Sequence, residues 1–288
     1  PLVSNFRGKP GISVDTDGCT EFFKSWNGKG NGRIKTCVEI HSVYLYDEQS
    51  LREAAVLAKQ LNAGVHIHVL ETETERNNSI KMYGMDPAEA CLAFGIFDVP
   101  VIAAHCIHLS DRDMEILKDR KVNAVHNPSS NLKLGSGIAG VPEMLKKGIN
   151  VCLGTDGAAS NNNLNMFEEM HLAALLHKGV GKDPTLMKAE QVLKMATVNG
   201  ASALGFGNDT GMIKESMKAD LILLNIDKPH LCPVNNPVSA VVYSAQASDV
   251  DTVIIDGRIV MENRELKTID EEMVKYKAGE ICKRLAAS

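Results

Sequence analysis

No stretch of the 288-residue chain is apolar for the roughly 20 residues that a membrane-spanning helix requires; runs such as Pro100–Cys106 stop far short. The opening residues, PLVSNFRGKPG, have neither the apolar core nor the cleavage site of a secretory signal. Lys and Arg number 31 against 36 Asp and Glu, and no basic cluster stands out. A net charge of −5 without such a cluster gives a nucleic-acid surface little support. The seven Cys include no C-x-x-C pair, and their number is odd, which fits reduced thiols in a cytoplasmic protein and excludes a disulfide framework. The helical His-Glu-x-x-His pattern, the Cys-rich zinc spacings and low-complexity tracts are missing as well. What remains is an ordinary globular composition, 44% apolar and 23% charged.

Strand-like and helix-like segments alternate through the middle of the chain. Short apolar runs rich in β-branched residues lie at Ile34–Ile40, Gly64–Val69, Pro100–Ala104, Val122–Val125 and Asn150–Leu153. Helical patterns follow at Ser50–Leu61, Ala88–Phe94, Ser110–Lys118 and Val141–Lys147. Continuous apolar strands separated by helices predict a parallel sheet with covered faces. Two more helices are expected at Leu164–Leu176 and at Pro184–Thr197, the second with Asp183 as its cap, and a short one at Gly200–Leu204. Beyond these, Ala219–Asn225, Ser239–Tyr243, Thr252–Asp256 and Arg258–Met261 read as strands without intervening helices, with Asp256-Gly257 a hairpin turn. The expected organisation is a barrel-type domain over 1–206, an antiparallel β appendage over 207–266 and a terminal helix over 267–288.

Each parallel strand ends in a polar residue: His41, His68, His105, His126 and Asp156, spaced 27, 37, 21 and 30 residues apart. These intervals centre on the roughly 30 residues of one βα unit. Catalytic groups in parallel α/β folds sit at the carboxyl ends of strands. A single such His is ordinarily a bonded core residue; four His and one Asp at matched positions point to imidazole–carboxylate chemistry, which is metal binding. His66 and His68 point to the same face of their strand, and His68 lies nearer its end. Glu71 follows in the loop, as a proton carrier or as a solvated acid of the Glu71/Glu73/Glu75 run. Gly154 and Gly157 flank Thr155-Asp156 and permit a sharp turn there, and Asp156 could equally be a helix cap.

The segments HIHVLET (66–72), AAHCIHL (103–109), HNPSSNLKLGSGIA (126–139) and LGTDGAASNNNLNMFEEM (153–170), with IHSVYLY (40–46), resemble the amidohydrolase superfamily. Within it they are most similar to the 5′-methylthioadenosine/S-adenosylhomocysteine deaminase branch, which includes triazine hydrolases and guanine deaminases. The resemblance spans at least residues 33–265. It implies an α/β fold of the (β/α)8 TIM-barrel type, represented here by about strands 4–8, with part of a small antiparallel β domain and a C-terminal helix. It implies one divalent metal, zinc with iron or manganese as alternatives, held by His68 and Asp156. His105 and Asp156 would act on the water that attacks purine C6, Glu71 would shuttle protons, and His41, Glu71 and His105 would contact the substrate. His126 stays open between a structural and a site role.

The family's first-strand His-x-His has no counterpart, since the only H-x-H, His66–His68, belongs to the fifth strand. Three βα units, roughly 90 residues, are therefore expected to be absent, with Pro1 a cut end. The implied reaction is hydrolytic deamination of an adenine nucleoside by the intact enzyme. The stretch before residue 33 that would hold a substrate carboxylate offers Arg7, with Asp15 and Asp17 nearby, which favours a neutral nucleoside. Alternatives are another ring substrate (triazine, guanine or pterin), a non-catalytic remnant, and a metal-independent nucleoside-binding module. The expected partner is thus a small nucleoside or heterocycle, with neither nucleic acid nor membrane, in a cytoplasmic protein able to form homo-oligomers.

Overall fold

The computed structural model describes residues 14–286. Pro1 and Arg7 lie outside the described residues. Helix α1 (Thr16–Trp26) opens on Asp15, whose carboxylate accepts from the Gly18 amide. Strands β1 (Val38–Ile40), β2 (Val65–Val69), β3 (Val101–His105), β4 (Asn123–His126) and β5 (Val151–Leu153) then form a five-stranded sheet in sequence order. Every pairing is parallel, with Ile40 beside Ile67, Ile67 beside Ala103 and Ala124 beside Val151.

The connecting helices are α2 (Glu48–Gln60), α3 (Glu73–Tyr83), α4 (Pro87–Ala93), α5 (Asp111–Asp119), α6 (Pro128–Lys133) and α7 (Val141–Lys146). Their starts follow local chemistry. Asp47 accepts from the Ser50 amide at 2.8 Å, and Ser110 forms a reciprocal capping box with Asp113. Leu51, Ala54, Ala55 and Ala58 of α2 are buried beside the sheet. The strands themselves alternate: Val65, Ile67 and Val69 are buried, whereas His66 and His68 are half-buried on the opposite face.

After β5 come α8 (Ala158–Asn161), α9 (Met166–Gly181), α10 (Ala189–Ala196) and α11 (Val198–Ala203). The helix expected from Pro184 starts only at Ala189. Asp183 instead accepts from the Thr185 amide and hydroxyl in a local turn, so it caps nothing.

The second sheet is antiparallel: β6 (Leu221–Leu224), β7 (Val250–Ile255), β8 (Arg258–Glu262) and β9 (Glu265–Leu266). Asp256 and Gly257 both have positive φ, 51° and 74°, and make the tight β7–β8 turn that their sequence predicts. One expected strand is a helix. Ser239–Tyr243 falls within α12 (Pro237–Tyr243), where Pro237 opens the first turn and the Asn236 side chain accepts from the Ser239 amide at 2.9 Å. The β-branched composition of that run suggested a strand, but its cap and its packing against α9 and α10 decide for a helix. Helix α13 (Glu271–Ala286) closes the described chain and buries none of its residues. None of the described helices is long and apolar enough to cross a membrane.

Candidate functional site

At the carboxyl ends of the parallel strands Leu70 (51°), His105 (72°), Cys106 (51°) and Asp156 (58°) adopt positive φ. Such backbone is uncommon away from glycine, least so for Asp and His, and is retained where the surroundings enforce it. At His105 the effect is to break strand alternation. Val101 and Ala103 face the helices, yet the turn at His105 swings its ring over the end of the sheet onto His68. The two rings lie parallel within 20°, with centroids 5.4 Å apart. His41 lies tilted by 31° against His68 at 4.4 Å, and His66 meets it edge-on at 5.7 Å.

The orientation of each imidazole is set by a specific acceptor. His68 Nδ1 donates to the His41 carbonyl at 2.7 Å, and His105 Nδ1 donates to Asn131 Oδ1 at 2.8 Å. Both rings are thereby held in the tautomer that leaves Nε2 with its lone pair, the arrangement common to metal-binding and water-contacting histidines. His41 and His66 are both held down to about 4, first by burial and then by the neighbouring His68 and His105, so they are uncharged at neutral pH.

Asp156 lies across the mouth from β2. Its Oδ2 accepts from Ser130 Oγ at 2.7 Å and its Oδ1 from the Gly157 amide at 2.8 Å. Burial alone would raise this carboxyl. The hydrogen bonds from Ser130 and Gly157, with the neighbouring His105 ring, outweigh burial and hold it below the usual range. Asp156 is not a helix cap: Gly157 takes that place for α8. Of the two flanking glycines only Gly154 is sterically demanded, because a Cβ there would come within 2.5 Å of Asn127 Oδ1 and 2.8 Å of Val125 Cγ1. A Cβ at Gly157 would meet nothing.

Glu71 is half-buried, and its carboxylate accepts from Ser136 Oγ at 3.3 Å. The neighbouring Glu75 is not a solvated acid. It is 3% exposed and accepts from the Glu71 amide at 2.9 Å. His126 follows the alternation of β4 and points away from the mouth. Its Nε2 lies 3.4 Å from that of His177 on α9, and both rings are buried and neutral, held near 3 and 4 by burial. The structure thus brings His41, His66, His68 and His105 together, with Glu71 in the loop after β2 and Asp156 at the end of β5, and separates His126 from them. Ser130, Asn131, His108 and Ser136 were not singled out individually by the sequence. Only the position of Ser130 and Asn131 within HNPSSN, immediately after a strand end, pointed their way.

The donor chemistry fits a divalent metal in part. His68 and Asp156 offer an oriented imidazole and an ionised carboxylate. Among the described residues, however, no three His, Cys, Asp or Glu side chains stand close enough to hold a metal ion. These residues alone do not make a metal cage.

Residues 13–260 match the amidohydrolase family. A 5-methylthioadenosine/S-adenosylhomocysteine deaminase of Acetivibrio thermocellus is 70% identical over 267 residues, 93% of this chain and 62% of the relative. One of the same description from Thermoanaerobacter pseudethanolicus is 52% identical, over 92% of this chain and 62% of its own length. A crystal structure of an adenosine deaminase from Xanthomonas campestris with bound zinc superposes with a TM-score of 0.90 at 32% identity, covering 94% of this chain and 61% of that one. The parallel sheet and its helices are of the (β/α)8-barrel type, accompanied by a small antiparallel sheet. The chain spans about 62% of the length of these relatives.

Proposed function

The chain belongs to the amidohydrolase family, and from that premise we propose that it serves the hydrolytic deamination of an adenine nucleoside, 5′-methylthioadenosine or S-adenosylhomocysteine. The observation that carries this reading is the way helix α6 holds two groups at once: Ser130 bonds Asp156 while the adjacent Asn131 bonds His105. A carboxylate and an imidazole fixed by neighbouring residues of one helix are placed to orient a single water and take its proton.

In this reading that water adds to C6 of the purine. Glu71, in the loop beyond His68, protonates the ring nitrogen as the C6–O bond forms. It then takes the proton of the new C6 hydroxyl and passes it to the amino group as the C6–N bond breaks, so that C6 becomes a carbonyl, ammonia leaves, and the proton that Asp156 and His105 took from the water returns to Glu71. His41, uncharged at neutral pH, faces the purine as a hydrogen-bonding partner. A divalent metal, zinc in our proposal with iron or manganese as alternatives, acidifies water where it binds. His68 and Asp156 would hold it. The free thiols of Cys19, Cys37, Cys91, Cys106, Cys152, Cys232 and Cys282 support a cytoplasmic setting.

Ammonia release by the full-length protein from 5′-methylthioadenosine, S-adenosylhomocysteine, guanine, a pterin and a triazine, with zinc supplied, tests the proposal. Release from an adenine nucleoside, abolished in Glu71→Gln, is the expected result. Turnover confined to another ring overturns the substrate. Undiminished turnover in Glu71→Gln removes that residue from the reaction. No turnover of any compound by the full-length protein assigns it to a non-catalytic role.

A further inference from the structure

Glu71 can deliver a proton to the right atom only if its carboxylate is held, and its neighbours close a circuit around it. Ser136 Oγ donates to Glu71 Oε1 at 3.3 Å, a length common for catalytic contacts before substrate tightens them. Ser136 is itself fixed at both ends. Its amide donates to the Asn131 carbonyl at 2.9 Å, and its carbonyl accepts from His108 Nε2 at 2.8 Å. His108 returns to the start, because its backbone amide donates to the carbonyl of Leu70, the residue before Glu71, at 3.0 Å.

Two further features lock His108 in place. Its Nδ1 lies 3.1 Å from Glu73 Oε1 on α3, and its carbonyl accepts from Arg76, which is paired in turn with Asp86 at 2.6 Å. Gly137 (φ 127°) passes so close that a Cβ would stand 3.0 Å from Ile107 Cγ2 and 3.6 Å from His108 Cε1. The backbone of the loop thus lies directly on the imidazole.

We propose that Ser136 is a positioning residue for Glu71, and that His108 is the anchor that holds Ser136 against it. This rests on the reading of Glu71 as the proton carrier. The circuit connects three loops, those after β2, β3 and α6, so the placement of the acid is decided by contacts remote from the purine. Losing an acid's orientation costs turnover rather than substrate affinity.

The test uses the full-length protein and four variants. Ser136→Ala should lower kcat by roughly 10- to 100-fold with KM changed by less than about twofold, and Ser136→Thr, which keeps the hydroxyl, should restore most of it. In His108→Gln the amide nitrogen takes the place of Nε2 and still reaches the Ser136 carbonyl. In His108→Asn the amide is too short to do so. His108→Asn should therefore behave as Ser136→Ala does, and His108→Gln nearly as the unaltered chain. Equal loss in both His108 variants, or a loss confined to KM, overturns the anchor.

A second measurement does not depend on turnover. The nuclear Overhauser contact between Ser136 Hβ and Glu71 Hγ should be present in the unaltered chain and in His108→Gln, and lost in His108→Asn. Its absence from the unaltered chain overturns the proposal. A chain that shows the contact but deaminates no adenine nucleoside overturns the functional reading instead.

Discussion

Glu75 places a carboxylic acid where water does not reach. One oxygen accepts the backbone amide of Glu71, while Oε1 is buried without a partner. Burial pushes its carboxyl up to about 7; the amides of Leu70 and Glu71 and the charge of Arg76 pull the other way without cancelling it. In the unfolded chain the same group ionises near 4.3. A folded-state value above the unfolded one means that the native state binds the proton more tightly. Stability is therefore full below about pH 4.3 and is lost as pH rises through about 7, by about 4 kcal/mol in all. Glu75→Gln keeps the acceptor for Glu71 and removes the ionisation. Urea midpoints at about pH 5 and about pH 8 should differ less in this variant than in the unaltered chain, with the variant the more stable at the higher pH. An unchanged pH slope would show that Glu75 does not ionise over this range. The sequence hid this residue because three glutamates at alternate positions look like a solvated run, and only the Thr72 cap, which accepts from the Glu75 amide, turns the third one inward.

Helix α6 shows how little of the site's scaffolding a sequence displays. Its six residues carry Ser130 and Asn131, which hold Asp156 and His105, yet they have no apolar stripe to announce a helix. Its first turn is secured from α9: Glu169, 1% exposed, accepts from the Ser129 amide at 3.1 Å and from Asn161 Nδ2 at 2.7 Å. A carboxylate against the first amides of a helix is favourable, and here it also ties α6 to α8. Removing it takes away the partner of the part-buried Ser129 amide and one of the two acceptors of Asn161 Nδ2, which keeps the Thr155 carbonyl. Glu169→Ala should lower unfolding free energy by about 2–4 kcal/mol in urea titrations and loosen His105, seen as faster amide exchange at Ser130 and Asn131. A stable variant with unchanged exchange would show that α6 stands without α9. The strands and the Asp256–Gly257 turn were legible for the opposite reason, since continuous apolar runs and a dipeptide suited to positive φ are local signals. So were the strand-end His and Asp, because a polar residue breaks each run. The geometry that makes them a site was not legible. It depends on positive φ at His105 and Asp156, which spacing does not reveal, and α12 shows that β-branched composition alone can mislead.

A single hydrophobic core joins the two sheets. Val242 of α12 and Val250 of β7 are buried in the same cluster as Ile67, Ala103 and Val151, and Leu224, Val253 and Met261 pack against it. The antiparallel sheet therefore gains its stability from the barrel-type portion and should not unfold ahead of it. Helix α13 stands apart. Met273, Val274, Tyr276, Ile281 and Leu285 are all about half exposed or more, and none of its residues is buried. Area that folding does not remove from water contributes nothing to stability. Removing residues 270–288 should thus leave the unfolding free energy within about 0.5 kcal/mol of the original. Fluorescence of Trp26, the only tryptophan, reports on α1, whose Cys19 belongs to the shared core. Its urea transition should coincide with that of far-ultraviolet circular dichroism in the shortened chain, as expected of one cooperative unit. Two separated transitions would mean that the sheets unfold independently despite their common core, and a loss of more than about 2 kcal/mol would mean that α13 packs on the body of the molecule.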